Sequence, residues 1–316
     1  MPNCWNMHIE KMQGDSNMKK VLFIVNPNAG KMTIKDNLVD ILSKFNVSDY
    51  ISTVYITQKA HDATEYIEKY GLGYDLIVSC GGDGTFNEIL HGIAASQREY
   101  APLACIPAGT VNDFAHSLGI PNDVQEAADI ILESEPHDYD FGSFNGEIFS
   151  YVAAAGAFTE VSYGTPQYLK NMLGKYAYYI EGAKKITDLS DAFSLKIRID
   201  GDKIIEGDFV LVSVSNSKSI GGFLQFDDDD RKILTDGMFE LILIKSPVTP
   251  LDVQKMLHSL KIHQYDNDCI RCIKGKHFVI TSTKPLPWTL DGEYAGEFKK
   301  IEISLYQKRI QMVFPD

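Results

Sequence analysis

Residues 75–95 have the sequence DLIVSCGGDGTFNEILHGIAA, and this stretch decides the fold. Its first part, Leu76 to Cys80, is a short apolar run that suits a buried parallel strand. The apolar residues that follow Thr85 have helical spacing, and Thr85 with Glu88 forms the T-x-x-E pattern of a capping box. A strand that turns through glycines into a helix directs backbone N–H groups at one point, which favours a bound phosphate.

Asp83 is unexpected in such a loop, because a carboxylate repels a phosphate unless a metal ion or a proton lies between them. The loop therefore favours a nucleotide that binds together with Mg²⁺. A tight turn followed by a capped helix is the alternative that the local pattern leaves open. The loop is not a Walker A motif, and Asn87 occupies the position where G-x-G-x-x-G has its third glycine.

The composition indicates a globular protein with room for two domains. The chain has 316 residues, of which 44% are hydrophobic and 23% charged. No apolar run approaches the roughly 18 residues of a membrane span, so we expect a cytoplasmic protein. A net charge of −13 argues against binding to nucleic acid and against long-range attraction to anionic lipid. Any membrane contact must then be local.

Strands and helices alternate in the first part of the chain and strands dominate the rest. Residues 1–17 are polar and aperiodic, and we expect a disordered extension there. The alternation that follows predicts a parallel sheet with helices on both faces. Beyond His137 the chain contains hairpin signals such as Asn145-Gly146, and one predicted strand extends over Asp138 to Ser143.

Four polar residues have a structural interpretation, and one of them, Lys31, also has a functional one. Lys31 follows the turn after the first strand, where it could meet a phosphate or be a solvated turn lysine. Thr110 is the predicted N-cap of a helix in which Asp113 is the third residue and supports the helix dipole. Asp140, in the predicted strand over Asp138 to Ser143, would be a surface position.

Residues 167–187 form one amphipathic segment in the second part of the chain. A broad apolar face is predicted there, with Lys170, Lys184 and Lys185 near the other side. This face could be part of a domain core or could dock on a membrane surface while the lysines meet anionic phosphates.

Five motifs occur in the order and at roughly the spacing of the diacylglycerol kinase catalytic family. They are Asn26-Pro-Asn-Ala-Gly-Lys31, Gly81-Gly-Asp-Gly-Thr85 with Asn87-Glu88, Gly109-Thr-Val-Asn-Asp-Phe114, Tyr139-Asp-Phe-Gly142 and Leu290-Asp-Gly-Glu-Tyr294. The chain most resembles the soluble bacterial members, over residues 19–314. The resemblance implies an N-terminal three-layer α/β nucleotide-binding domain over 18–137, to which 307–316 return. It implies a C-terminal β-sandwich domain for the lipid substrate over 138–306.

The resemblance also implies ATP and Mg²⁺ as cofactors and assigns roles to residues. The expected nucleotide-binding residues are Asn26, Lys31, Gly81, Gly82, Asp83, Gly84, Thr85, Glu88, Gly109, Thr110 and Asn112. The expected ligands of the active-site Mg²⁺, through water, are Asp83, Asp113 and Asp140. Asp291 would be the general base, with Glu293 beside it. A second, structural Mg²⁺ is expected at Leu234, Asp236 and Met238, where this chain keeps one aspartate of the family's pair.

The activity that the resemblance implies is phosphorylation of a lipid alcohol, diacylglycerol to phosphatidate first. Sphingosine, monoacylglycerol and NAD are the alternative substrates, and a catalytically silent nucleotide- or lipid-binding regulator is the alternative from another class. We expect a lipid substrate presented by a membrane, transient contact with the inner face of that membrane and no nucleic acid partner. The sequence leaves a homodimer open.

Overall fold

The computed structural model of this chain describes residues 18–30, 33–96, 99–110, 112–156, 192–217, 219–220, 224–225, 234–247, 249–265, 267–306 and 310–315. The predicted extension at 1–17, Lys31 and the amphipathic segment at 167–187 lie outside these residues. The chain divides into two compact units. The first contains Met1–Gly109, Ile120–Pro136 and Gln311–Pro315, and the second contains Thr110–Gly119 and His137–Ile310.

The described elements alternate between strand and helix as far as Glu133 and are mostly strands thereafter. In chain order they are β1 Lys19–Val25, α1 Thr33–Val47, β2 Tyr50–Ile56, α2 Asp62–Tyr70, β3 Leu76–Gly81, α3 Asp83–Ala95, β4 Leu103–Pro107, α4 Asp113–Ser117, α5 Val124–Glu133, β5 Pro136–Tyr139, β6 Gly142–Phe144, β7 Glu147–Phe149, β8 Val152–Gly156, β9 Phe193–Ile199, β10 Lys203–Ser215, β11 Ser219–Ile220, β12 Leu224–Gln225, β13 Phe239–Lys245, α6 Pro250–Lys261, β14 Ile270–Gly275, β15 His277–Leu290, β16 Glu293–Leu305 and β17 Ile310–Val313. Among the described helices, none is both long enough and apolar enough to cross a bilayer.

The first unit is built on a parallel sheet with the strand order β2-β1-β3-β4-β17. Its central strands β3 and β4 are buried along their whole length, as expected where helices cover both faces of a sheet. The order reverses at β1, which has β2 on one side and β3 on the other. The connections that leave β1 and β3 therefore diverge, and the crevice between them is the usual ligand position of such a sheet.

The second unit is an antiparallel β-sandwich in which long strands contribute to both layers. Strand β15 pairs with β9 along its first half and with β8 along its second half. Its register with β16 shifts between Thr281 and Leu286. Strand β10 likewise pairs with β9 and then with β8 and β13, with a shift between Phe209 and Leu211. Trp288 lies in the hydrophobic core cluster that these strands enclose. The predicted α/β plus β-sandwich fold class is confirmed.

Two local predictions in the second unit differ in outcome. Asn145-Gly146 is a hairpin turn, as predicted, with φ of 51° and 93° between the paired strands β6 and β7. The predicted single strand over Asp138 to Ser143 is wrong, because β5 ends at Tyr139 and β6 begins at Gly142. Asp140 lies in the break, where its backbone N–H donates to the Leu234 carbonyl at 3.2 Å instead of extending a ladder.

We predict opposite outcomes for two glycine-to-alanine substitutions in α3. A Cβ at Gly92 would lie 2.9 Å from the Ile67 Cβ and 2.9 Å from the Thr64 carbonyl oxygen of α2, whereas a Cβ at Gly84 would meet nothing within 4 Å. Gly92→Ala should therefore cost about 1–3 kcal/mol by overpacking the contact between α2 and α3. Gly84→Ala should leave the stability unchanged or raise it by up to about 1 kcal/mol, because alanine favours a helix. Urea unfolding of both variants measures the difference, and equal stabilities would contradict the packing.

Candidate active site

The turn after β1 is tied to the start of α3 by the side chain of Asn26. Its Nδ2 donates to the Thr85 Oγ1 at 3.2 Å, and its Oδ1 accepts from the Asn28 N–H at 3.0 Å. The Asn26 backbone N–H donates to the Cys80 carbonyl at 2.9 Å. One asparagine thereby orders its own turn and fixes that turn to the glycine loop.

Glycines allow the loops after β1, β3 and β4 to approach each other more closely than side chains would permit. A Cβ at Gly81 would overlap the Thr85 side chain. Gly30 has φ of +48°, and a Cβ there would lie 2.8 Å from the Gly109 carbonyl oxygen and still closer to that of Ala108. Gly84 faces open space instead. The crowding is thus on the inner side of the glycine loop and the space is on its outer side.

Helix α3 begins directly in the glycine loop, and the predicted capping box of Thr85 and Glu88 is wrong. The N-cap is Gly82, so Thr85 is the third helical residue and its hydroxyl accepts from Asn26. A glycine N-cap offers no side chain to the first N–H groups of the helix. Those groups and the positive end of the helix dipole favour an anion at this position.

Glu88 supports the start of α2 rather than that of its own helix. Its Oε1 accepts from the His61 N–H at 2.9 Å and its Oε2 from the Ala63 N–H at 3.2 Å. The N-cap His61 has φ of 63° and makes no side-chain cap of its own, so Glu88 supplies the cap from α3. Both carboxylate oxygens are engaged within the protein, and a role for Glu88 in nucleotide binding stays a prediction.

Asp83 and Asp113 are each the first residue of a helix. Asp83 opens α3 and is half-buried, and its charge contributes to raising the pKa of the Cys105 thiol, although burial of the thiol is the larger cause. Asp113 opens α4 and is half-buried. The predicted N-cap Thr110 is wrong: the N-cap is Asn112, whose left-handed backbone (φ 58°) starts the helix two residues later than expected.

Asp140 is held by the turn that precedes β13. Its Oδ2 accepts from the Gly237 N–H at 2.6 Å. Burial raises its pKa, the Gly237 hydrogen bond opposes that shift, and the charges of Asp236 and Asp138 add to it. The Asp140 carboxylate therefore has a fixed position and a raised pKa.

Asn216 connects Asp140 to Leu234, a role that the sequence does not indicate. It is fully buried after the end of β10, and its Nδ2 donates to the carbonyl oxygens of Asp140 at 2.8 Å and Leu234 at 3.1 Å. The backbone carbonyl of Asn216 accepts from the Tyr139 hydroxyl at 3.0 Å. The surrounding Ser-Asn-Ser resembles any strand end, and only the tertiary structure reveals this bridge.

The remaining predicted metal ligands can be placed individually. Leu234, Asp236 and Met238 lie in the turn that leads into β13. Among the residues that the structure describes, no three His, Cys, Asp or Glu side chains form a group that could hold a metal ion. Asp83 belongs to the first unit and Asp140 to the second, and their shared network stays a prediction.

Asp291 lies in the tight hairpin turn between β15 and β16, and its carboxylate is buried. Leu290 pairs with Glu293, and Asp291 and Gly292 have φ of 51° and 87°. The Asp291 Oδ2 accepts from the Ser150 N–H at 2.6 Å. Its Oδ1 accepts from the next two N–H groups, those of Tyr151 at 2.9 Å and Val152 at 3.1 Å.

Burial raises the pKa of the Asp291 carboxyl. Hydrogen bonds from the N–H groups of Ser150, Tyr151 and Val152 and from the Ser150 side chain oppose the shift. A carboxylate with a raised pKa is a better proton acceptor near neutral pH. Glu293, predicted beside it, is exposed at the start of β16.

Asp200 is a structural counterpart of Asp291 in the same unit. It opens the hairpin between β9 and β10 with φ of 49°, and Gly201 follows with φ of 86°. Its Oδ1 accepts from the N–H groups of Lys276 and His277, both at 2.9 Å. The two turns share positive φ angles at Asp-Gly, but the Asp200 loop is one residue longer, and Asp200 is exposed whereas Asp291 is buried.

Two family models match the chain. The diacylglycerol kinase catalytic domain matches residues 20–144, and the YegS C-terminal NAD kinase beta sandwich-like domain matches residues 153–305. The diacylglycerol kinase of Bacillus subtilis (strain 168) is 34% identical over 94% of this chain and 97% of its own length. That of Staphylococcus aureus (strain bovine RF122 / ET3-1) is 36% identical over 94% and 93%.

Solved structures share the fold. A diacylglycerol kinase from Bacillus anthracis str. Sterne superposes with a TM-score of 0.70 at 26% identity and covers 95% of this chain and 98% of its own. Yeast NADH kinase, at 12% identity, has a TM-score of 0.52 over 95% of this chain and 85% of its own, which indicates a common fold alone.

The open space beside Gly84 predicts a variant that folds but binds nucleotide poorly. Gly84→Ala would place a methyl group on the outer side of the glycine loop, where a phosphate would meet the start of α3. We expect at least a tenfold higher Kd for ATP with Mg²⁺ in isothermal titration calorimetry. Unfolding in urea provides the control, because the variant should be as stable as the parent chain. An unchanged Kd would place the phosphates elsewhere.

Proposed function

Because this chain belongs to the diacylglycerol kinase catalytic-domain family, we propose that it transfers the γ-phosphate of ATP to the free hydroxyl of diacylglycerol, which yields phosphatidate and ADP. The proposal rests on the buried Asp291 carboxylate, which accepts hydrogen bonds from three backbone N–H groups and whose pKa is raised by burial. Phosphoryl transfer to an alcohol needs a positioned base of this kind. Diacylglycerol is insoluble in water, so the substrate would be presented by a membrane surface.

The phosphate donor would bind at the glycine loop of the first unit. Gly82 opens α3 without a capping side chain, and Gly84 leaves room for a phosphate. Asn26 and Thr85 keep this backbone in place through their 3.2 Å hydrogen bond. The protein would thus bind the phosphate chain with backbone N–H groups and the helix dipole.

Mg²⁺ would be held through water by the carboxylates of Asp83, Asp113 and Asp140, since Mg²⁺ dehydrates reluctantly and usually keeps several water ligands. Two features of the residues present fit such an ion: each of the three aspartates is half-buried, and Asp140 is fixed by the Gly237 N–H. When bound, Mg²⁺ neutralises charge on the transferring phosphate.

Asp291 would take the proton of the lipid hydroxyl as the oxygen of that hydroxyl forms a bond with the γ-phosphorus. The bond between the γ-phosphorus and the bridging oxygen breaks, and ADP leaves with the electron pair. The proton is then on the Asp291 carboxyl and passes to water. The reaction therefore consumes one ATP and one lipid alcohol.

Ser150 gives this base a place for the incoming hydroxyl. A carboxylate has about four acceptor positions. Three are taken by backbone N–H groups, which are fixed, and the Ser150 side chain also hydrogen-bonds to the carboxylate. The Ser150 hydroxyl is the donor that can rotate away, so the lipid hydroxyl would replace it on Asp291.

A substrate panel tests the activity. Pure protein with labelled ATP and Mg²⁺ should phosphorylate diacylglycerol in vesicles, and it should phosphorylate sphingosine, monoacylglycerol and NAD at least tenfold more slowly. Asp291→Asn should lower kcat by about 10² or more, the usual range for loss of a general base. The variant should also be less stable, because its amide NH₂ would face backbone N–H groups.

Asp200→Ala is the control for that loss of stability. It removes both backbone hydrogen bonds of the turn anchor from the exposed hairpin and should keep kcat within about twofold. Near-normal turnover of Asp291→Asn would refute the base, and ATP binding without phosphorylation of any substrate would favour the silent regulator.

Ser150→Ala separates a proton acceptor from a structural anchor. The substitution keeps the Ser150 N–H and removes the hydroxyl, whose hydrogen bond lowers the pKa of Asp291. The pKa should rise, and because the base must be deprotonated, the acid limb of the kcat/KM–pH profile should move to higher pH. An acid limb that stays in place would show that Asp291 does not titrate in the reaction.

A further inference from the structure

The turn from Leu234 to Met238 and Asp140 hold each other in the second unit. The Leu234 carbonyl accepts two hydrogen bonds, from the Asp140 N–H at 3.2 Å and from the Asn216 Nδ2 at 3.1 Å. In return, the Gly237 N–H donates to the Asp140 Oδ2 at 2.6 Å. The position of the Asp140 carboxylate therefore depends on the conformation of this turn.

Of the three residues expected to bind a structural Mg²⁺ at this turn, Leu234 and Asp236 already accept hydrogen bonds from donors of the protein. Both lone pairs of the Leu234 carbonyl are used. The Asp236 Oδ1 accepts from the Met238 N–H at 2.9 Å, and its Oδ2 accepts from the Lys274 Nζ at 3.2 Å. A divalent cation would have to displace a donor from Leu234, and at Asp236 it would lie beside the positive charge of Lys274. These contacts favour the ammonium group over the ion at the expected site.

Lys274 also compensates a second, buried carboxylate. Its Nζ lies 3.6 Å from the Glu240 Oε1, and the Glu240 side chain is only 2% exposed. The antiparallel register of β13 and β14 places Glu240 directly opposite Lys274, so the contact is built into the sheet. Neither Glu240 oxygen has a hydrogen-bond partner among the described residues. A buried carboxylate without a nearby positive charge is costly, and here the charge comes from Lys274.

We propose that the ammonium group of Lys274 replaces a structural metal ion in this chain. It bridges Asp236 and Glu240, fixes the turn from Leu234 to Met238, and thereby aims the Gly237 N–H at Asp140. Lys274 is a positioning residue for Asp140. Its effect on folding stands apart from the proposed kinase activity, whereas the consequence for Asp140 rests on that proposed function.

The test is the melting temperature of the full chain without nucleotide, in EDTA and in MgCl₂. The change from EDTA to MgCl₂ should shift the melting temperatures of the parent chain and of Asp236→Asn by the same amount, because Asp236 does not hold a metal ion. A shift that Asp236→Asn abolishes would overturn the proposal. Lys274→Met keeps the aliphatic stem and removes the charge, and it should lower the melting temperature by roughly 5–10 °C.

Two further variants make the result specific. Lys196→Met removes an exposed cross-strand partner of Glu206, with 2.7 Å between the charged groups, and should change the melting temperature by at most about 1 °C. Lys274→Arg keeps the charge and should recover most of the loss. A melting temperature of Lys274→Met equal to that of the parent chain would overturn the proposal.

The effect on Asp140 has its own measurement. Lys274→Met should raise the Mg²⁺ concentration for half-maximal activity at least threefold, and Lys274→Arg should restore it. If the chain phosphorylated no substrate, the melting temperatures would still decide the metal replacement. An altered kcat with an unchanged Mg²⁺ requirement would overturn the link to Asp140.

Discussion

The close approach of the loops after β1, β3 and β4 is the constraint on which the first unit depends. Side chains at Gly30 and Gly81 would overlap neighbouring atoms, so the backbone itself forms the surface there. Parallel strands bring their carboxyl ends to one edge of the sheet, and the reversal of strand order at β1 opens a crevice at that edge. The glycine N-cap of α3 and the hydrogen bond between Asn26 and Thr85 lie in this crowded part of the unit.

Backbone N–H groups fix three aspartate carboxylates of this chain, and the balance between hydrogen bonding and desolvation then separates their pKa values. Asp62 accepts from the Gln58 N–H and the Tyr55 hydroxyl, and these bonds lower its pKa. Asp140 and Asp291 also accept from backbone N–H groups, yet desolvation is the largest effect on both and raises the pKa. Similar donors therefore accompany opposite pKa shifts, because hydrogen bonds are the largest effect at Asp62 and desolvation is the largest effect at Asp140 and Asp291.

Local patterns predicted what local physics decides. The apolar run before Gly81 and the Asn145-Gly146 turn were recognisable because a strand, a glycine turn and a hairpin each depend on neighbouring residues. Glu88 was misassigned to its own helix cap, because its partners are the N–H groups at the start of α2. The sequence did not indicate the role of Lys274, since this role depends on its ion pairs with Asp236 and Glu240. Only the register of β13 and β14 brings these charges together.

Strand β17 has a consequence for how the protein is made. It adds a parallel strand beside β4, where Met312 pairs with Leu103 and is fully buried. The ribosome synthesises the whole sandwich between these two strands, which takes about 10–40 s at the usual rates of elongation. During that interval the β4 edge of a nascent sheet has no partner strand, and such an edge invites pairing with other chains. The yield of soluble protein in a cell should therefore depend on translation speed and on chaperones that cover this edge.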